Sequence, residues 1–414
     1  MFRNQRPLID PTDRGPLRVM FLTTDMTIGG FETLLFNMIR RIDRRRILPE
    51  LCCLKELGEL GEALAGEVPA FARLSRGKFD LRVLPRVASL LATRRIDAVV
   101  TVGTGGDRMF WGRLAARRAA VPVIISAIHS TGVPDYIEWP NRRLAPLTDA
   151  FVGAGQLHAR YMIGEAGCPA EKVHIIPYGI DPDRFTPRQP DKTLQAKLGL
   201  APEAPLAGIV AVLRTEKNHE LFLQAAARVH ERLPAARFLI IGDGPRREPI
   251  SRLRAALHLE DTVLMLGQRI DVPELLSLLD VLLITSHMEC SPVSILEAMG
   301  AGKAVLSTRV GSIPESVEDG HSGYLVPPGD EHALARRLIE LLSDRSKAHA
   351  MGLRGRQRVL ERFTLSRMTR QYEDLILDLY RQKCAGQPTL TGTQDPRSGR
   401  DPRPEVPQAV PSSS

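Results

Sequence analysis

The chain has 414 residues, 43% hydrophobic and 25% charged, which is ordinary globular composition and sets a prior of two to three domains. That composition argues against global disorder. Its 31 prolines and 33 glycines follow no period, against a collagen-like or coiled-coil chain, and its longest apolar runs, such as 121–128, fall far short of the ~18 residues that span a bilayer. The formal net charge is +8, of which +6 lies in residues 1–185, with a cluster at Arg40, Arg41, Arg44, Arg45 and Arg46.

Residues 1–16 are polar and Pro-rich, lack a secretory signal and are expected to be a flexible lead-in. Alternation then begins. Apolar, β-branched runs at 17–24, 50–54, 98–103, 121–129, 150–153 and 173–178 read as strands, and helical patterns fill 30–41, 80–94, 106–119 and 155–166. Buried strands alternating with helices predict a parallel sheet covered on both faces over residues 17–187. Residues 177–187 carry three prolines and read as a linker. The alternation restarts over 188–364, with strands at 208–213, 237–241, 262–266, 281–285 and 304–307. Helices are expected near 217–232, 246–257, 271–278, 292–301, 331–342 and 346–361. An apolar helical stretch follows over 365–384. Residues 385–414 are rich in Pro, Ser and Gly and are expected to be disordered, because they bury too little surface to offset ordering entropy. Two doubly wound sheets joined by a linker make a cleft between the carboxyl ends of their strands, where phosphorylated or nucleotide-containing small molecules bind.

Chemistry-bearing residues cluster at those strand ends. Gly29 and Gly30, before Phe31 and Glu32, open a helix and allow a backbone to approach a phosphate or sugar, or simply form the tight turn every such sheet needs. The segment Gly103-Thr104-Gly105-Gly106-Asp107 and the turn Gly242-Asp243-Gly244-Pro245 resemble fragments of a dinucleotide fingerprint without its full spacing, and read mainly as strand-to-helix turns. His129 ends an apolar strand and either faces the cleft or is a satisfied core histidine. Trp111, Tyr136 and Trp139 line an acceptor path or, as favoured here, fill packing positions. Arg214 and Lys217, three apart after the first strand of the second unit, can clamp two phosphates or form a surface pair with Glu216.

The strongest constellation is Glu289-Cys290-Ser291-Pro292-Val293-Ser294-Ile295-Leu296-Glu297. Ser291 is read as a helix N-cap and Pro292 as the first helical residue, so free amides at the helix start can meet a phosphate or a sugar hydroxyl. Two carboxylates flank that point. Glu297 lies among apolar residues, where an unpaired carboxylate is costly, and this favours a functional role over a surface one.

In order and spacing these segments resemble the retaining glycosyltransferases of family 4, over roughly residues 17–380. The resemblance rests on Gly29 to Glu32, His129, Pro177 to Asp181, Arg214 with Lys217, Gly242 to Pro245, and Glu289 to Glu297 followed by Ala298-Met299-Gly300-Ala301-Gly302. It implies a GT-B fold, α/β with two Rossmann-like doubly wound parallel-sheet domains facing each other across a cleft, an acceptor domain at 17–187 and a nucleotide-sugar domain at 188–364. The helix 365–384 is expected to return to the first domain. By the same resemblance, Arg214 and Lys217 hold the donor diphosphate and Glu297 the ribose hydroxyls. Glu289 touches the donor sugar, Gly29, Gly30, Gly242, Ser291, Pro292 and Val293 line the donor site, and His129 faces the transferred sugar. Pro292 itself brings no N–H.

The implied reaction moves a sugar from a nucleotide diphosphate sugar, UDP- favoured over GDP-, to an acceptor hydroxyl with retention. It uses no cofactor and no metal, because the cationic pair supplies the charge a metal would bring. A lipid-linked saccharide or surface-polysaccharide precursor is the expected acceptor, with a soluble acceptor as the alternative. A donor-binding protein without turnover and a nicotinamide-dependent oxidoreductase are the competing classes. Five cysteines, without metal-ligand spacing, suggest a reducing cytoplasm. The basic first half is compatible with the anionic inner face of the membrane or with a solvated helix end. Nucleic acid is not expected as a partner, since the chain has no matching motif and few aromatics. The chain departs from the family where Cys290-Ser291 follows Glu289 in place of Gly-Phe, which leaves sugar preference open, and at Lys303-Ala304, read as structural.

Overall fold

The computed structural model describes residues 8–77, 80–103, 107–129 and 138–386. Seven strands form the first sheet: β1 Leu17–Thr23, β2 Ile47–Cys53, β3 Ala70–Phe71, β4 Ala98–Gly103, β5 Val123–Ile128, β6 Ala150–Gly153 and β7 Val173–Ile175. Six form the second: β8 Leu206–Val210, β9 Arg237–Ile241, β10 Val263–Gly267, β11 Val281–Ile284, β12 Ala304–Thr308 and β13 Gly323–Val326. The orders are β3-β2-β1-β4-β5-β6-β7 and β10-β9-β8-β11-β12-β13. Neighbours such as β1 and β4, or β8 and β9, run parallel. In each sheet the strand order reverses beside its first strand, at β1/β4 and at β8/β11. Those reversals open the crevices that Rossmann-like sheets use for ligands.

The strands are central because they are apolar on both faces. Residues 98–102 of β4 and all of β5 are buried, as a sheet covered on both sides requires. Several elements were not expected from the sequence, among them the short helices Glu138–Leu144 and Ile313–Ser316 and the five that follow. β3 and β13 are short, and β13 starts at Gly323, where a Cβ would sit 2.4 Å from the Val305 carbonyl oxygen. The helix Gly58–Ala65 and the helix Lys192–Lys197, the latter capped by Asp191, were likewise unforeseen. The fifth is a short helix, Pro11–Arg14, inside the lead-in expected to be flexible. Arg14 there makes two 2.9 Å bonds to the buried Asp97 carboxylate and a third to the Tyr380 hydroxyl, which tie this segment down.

The helix Leu365–Cys384 packs on the helix Gly30–Arg41 and against β5. Met368, Tyr372 and Ile376 share one core with Leu34, Leu35 and Met38. The chain thus passes twice between the domains, and the two passages lie side by side. Ile180 N–H donates to the Phe363 carbonyl at 2.9 Å and Leu365 N–H to the Ile180 carbonyl at 2.8 Å. Gly179 permits this approach, since a Cβ there would lie 2.2 Å from the Thr364 carbonyl oxygen. Among the described residues no helix is long and apolar enough to cross a membrane. The tail beyond 386, Tyr136 and residues 104–106 of the Gly103–Asp107 segment lie outside the described residues.

The arginine cluster is less free than its sequence suggests. Arg40 pairs with Glu67, Arg41 with Asp181 and Arg45 with Asp43, while Arg46 reaches both Glu373 and Asp374. Trp111 packs against the core formed by Met20, Leu22 and Val87, as favoured. Trp139 does not: it is 62% exposed, with the Arg143 guanidinium 5.5 Å from its ring centre.

Candidate active site

The loops after β8 and β11 meet at the second sheet's crevice. Lys217, in a single helical turn after β8, sends its ammonium 2.7 Å from Glu289 Oε1. The Ser286 hydroxyl donates to the same oxygen at 2.7 Å. Both of these bonds fall on Oε1. Glu289 is 7% exposed and Lys217 23%, so this pair is largely withdrawn from solvent and electrostatically strong. Arg214 does not join it. Its guanidinium is 62% exposed, and Glu216, at 4.0 Å, is a loose partner. It faces the first domain closely enough to offset part of the rise in the Glu32 pKa that burial produces. The expected two-cation clamp is therefore one anchored lysine and one open arginine.

Backbone chemistry fixes both loops. Asn218 takes a left-handed conformation (φ 50°), which asparagine tolerates, and its side chain caps the helix His219–Arg232. The Thr285 hydroxyl lies 3.0 and 2.9 Å from the carbonyls of Lys217 and Asn218, tying the two loops together. Gly311 (φ 50°) lies against the Glu289 carbonyl, where a Cβ would come within 1.6 Å. Gly242 (φ 143°) is a tight turn against the Ala211 carbonyl, 2.0 Å from where its Cβ would be.

The helix after Glu289 runs Val293–Gly300 with Pro292, not Ser291, as its N-cap, because Pro292 holds an extended backbone (φ −70°, ψ 119°). No side chain caps this helix, and in its first turn the Ile295 N–H turns back to the Pro292 carbonyl at 3.2 Å. Ser291 stands one residue before the cap. Glu297 falls in the second helical turn. Burial pushes its carboxyl up to about 7, with Arg184 opposing only in part. Lys303 donates to the Ser277 carbonyl at 2.8 Å, a structural role as read.

Across the cleft, Gly29 is the N-cap of the helix Gly30–Arg41, and a Cβ on Gly30 would meet nothing within 4 Å, so this turn can be approached closely. His129 lies packed at the end of β5. Phe31 stacks on its ring, centroids 3.6 Å apart, Nδ1 is bonded to the Tyr178 hydroxyl, and Nε2 is buried with no hydrogen-bond partner among the described residues. Burial holds its pKa well below the usual imidazole value. Burial thus favours the neutral ring, and among the described residues Phe31 and Tyr178 cover it. Nearby, the Cys290 sulfur lies 3.1 Å from His158 Nδ1. Burial pushes that thiol up to about 12.

Comparison with known proteins then separates the two halves. Residues 28–184 match the model described as Glycosyltransferase Family 4, and residues 190–358 the model described as Glycosyl transferases group 1. The chain belongs to the family 4-type GT-B glycosyltransferases. One relative is the N-acetyl-alpha-D-glucosaminyl L-malate synthase of Bacillus anthracis, 35% identical over 193 residues. That match covers 47% of this chain and spans only 50% of the relative. A second is the UDP-Gal:alpha-D-GlcNAc-diphosphoundecaprenol alpha-1,3-galactosyltransferase of Escherichia coli, 26% identical over 343 residues, 78% of this chain and 88% of the relative. The fold is that of the Anabaena protein HepE solved with UDP and glucose, at a TM-score of 0.75 and 22% identity over 87% of this chain and 99% of that one.

In this glycosyltransferase the two matched regions meet at the linker, over residues 185–189. Asn218, Thr285, Tyr178, His158 and Gly311 support it without having been singled out from sequence for that role. Only Asn218 and Gly311 left a local signal, as residue types that tolerate positive φ. The others act through long-range contacts.

Proposed function

We propose that this glycosyltransferase transfers a sugar from a nucleotide diphosphate sugar, UDP- in preference to GDP-, to an acceptor hydroxyl with retained anomeric configuration and without a metal ion. One observation carries the reading. The Lys217–Glu289 pair stands in front of an uncapped helix N-terminus, with the Glu297 carboxyl in that helix's second turn. A diphosphate fits between the helix amides, Lys217 and Arg214, which meet the charge that grows as it leaves. Ribose hydroxyls would donate to Glu297, and the donor sugar would take Glu289 Oε2. Attack from the face the diphosphate leaves lets a phosphate oxygen take the acceptor's proton, and domain positioning does the rest.

The acceptor reading is a lipid-linked saccharide or surface-polysaccharide precursor, supported by the name of the Escherichia coli relative, which pairs a UDP sugar with a diphosphoundecaprenol. Contact with an anionic membrane face is part of this proposal. It rests on the positive first half and on exposed Trp139 beside Arg143, since four of the five arginines in the 40–46 cluster are in ion pairs.

The test is calorimetric titration of UDP, GDP and ADP, without added metal, into wild type and Glu297→Ala. UDP is expected to bind the wild type best. Loss of the charged acceptor should weaken it about tenfold or more. A folded wild type that binds none of the three overturns the reading. Product analysis by NMR reads the anomeric configuration.

A further inference from the structure

One helix of the first domain lacks an N-cap of its own. The helix Gln156–Gly164 begins after Gly155, which has no side chain to offer. Its first two N–H groups are instead bound by the second domain. Gln156 N–H donates to Glu315 Oε2 at 2.7 Å and Leu157 N–H to Glu315 Oε1 at 2.8 Å. Gly155 is extended (φ −172°), so glycine is needed there for space and not for angle. A Cβ would lie 2.7 Å from Ser312 Oγ and 2.8 and 2.9 Å from the two Glu315 oxygens. A carboxylate at a helix N-terminus satisfies orphan donors and complements the helix dipole.

Glu315 is held from behind and also holds forward. The Arg358 guanidinium donates to the Glu315 and Ser316 carbonyls, each at 2.8 Å. Three residues before Glu315, Ser312 N–H donates to the Cys290 carbonyl at 3.0 Å, and Gly311 lies against the Glu289 carbonyl. The capped helix returns the contact, since its His158 Nδ1 sits 3.1 Å from Cys290 Sγ. The segment 311–316 therefore grips the Glu289–Cys290 backbone with one end and a first-domain helix with the other.

We infer that Glu315 is a positioning residue that couples closure of the two domains to the placement of Glu289: completing the missing N-cap of the helix Gln156–Gly164 sets the loop that carries the donor-sugar carboxylate. This rests on the donor-site reading above for the role of Glu289, while the clasp itself stands on the geometry alone. Opening the cleft frees two backbone donors and the Cys290 contact together, so the Glu289 loop loosens in the open form and firms on closure.

The experiment is amide hydrogen exchange on the full chain, read at Gln156–Leu157 and over residues 286–292, for wild type, Glu315→Gln, Glu315→Ala and Gly155→Ser, each with and without UDP. Gly155→Ser gives the helix its own cap and displaces Glu315 from the first-domain side, with the second domain's sequence unchanged, which keeps the test valid if Glu315→Ala folds poorly. Wild type is expected to protect both regions. Glu315→Ala should speed exchange about tenfold or more in both, Glu315→Gln should rescue part of it, and Gly155→Ser should keep 156–157 protected while freeing 286–292. Calorimetric affinity for UDP should change by less than about threefold in every variant. Faster exchange at 156–157 in Glu315→Ala with 286–292 unchanged overturns the coupling, as does full protection in Glu315→Ala. Failure of UDP to bind wild type would sink the donor reading, yet the ligand-free exchange comparison would still decide the clasp.

Discussion

A carboxyl group withdrawn from water resists ionisation, and Glu297, part-exposed in the second turn of the helix Val293–Gly300, carries that cost. Its pKa rises from 4.5 to about 7 because burial disfavours the charged form. Between those values the native state keeps the proton that the unfolded chain has already lost. The native state thus binds more protons, and this group's contribution to stability falls as pH rises through the window. In the proposed role Glu297 accepts from the ribose hydroxyls in its ionised form, so UDP affinity should rise toward pH 7 and binding below it should release a proton. Glu297→Gln removes the titration. Thermal denaturation of the ligand-free protein from about pH 5 to about pH 8 should show a shallower decline in Tm for the variant than for wild type. Identical slopes would mean that Glu297 does not titrate in this range. The sequence sets this residue between Ile295, Leu296, Ala298 and Met299, and on the helix those four are buried while Glu297 stays part-exposed. The Lys217–Glu289 bond was not readable in sequence, because 72 residues separate its partners.

Among the elements, those read most accurately were the ones whose own sequence suffices. β4, β6 and β9 and the helix Gly30–Arg41 start and end where their patterns do. The short strands β3 and β13 gain their structure from the neighbour they pair with, and too few residues carry a period. The helix after Glu289 starts one residue later than expected because Pro292 stays extended. The paired passages between domains are also an element-level feature. Gly179→Ala would drive a Cβ into the Thr364 carbonyl, where two backbones already touch. The expected cost is about 1–3 kcal/mol, by analogy with overpacking in a filled core, read as a lowered urea midpoint with unchanged m-value. A variant as stable as wild type would show that these passages can separate freely.

For the whole molecule, charge distribution and the returning helix matter most. The sequence places the basic excess in the first half, and the structure neutralises much of its densest cluster by ion pairs with Glu67, Asp181, Glu373 and Asp374. What remains for a membrane is diffuse charge and the exposed Trp139 with Arg143. Anionic vesicles should therefore sediment more of the protein than neutral ones, with the difference shrinking at high salt and in Trp139→Ala. Equal recovery on both vesicle types would remove the membrane from the proposal.

The sequence by itself determined the two parallel α/β sheets, the linker between them and the strand ends that carry Arg214, Lys217, Glu289 and Glu297. Hydrophobic period, turn residues and capping chemistry are local properties, and they need no partner to be read. Tertiary structure alone decided which of those groups meet. It put Lys217 on Glu289 and left Arg214 open, folded Phe31 and Tyr178 over His129, and gave the helix Gln156–Gly164 a cap from Glu315 in the other domain. Side-chain contacts across a cleft depend on how two independently patterned sheets dock. Docking is set by shape and burial summed over many residues, which no local window of the chain contains.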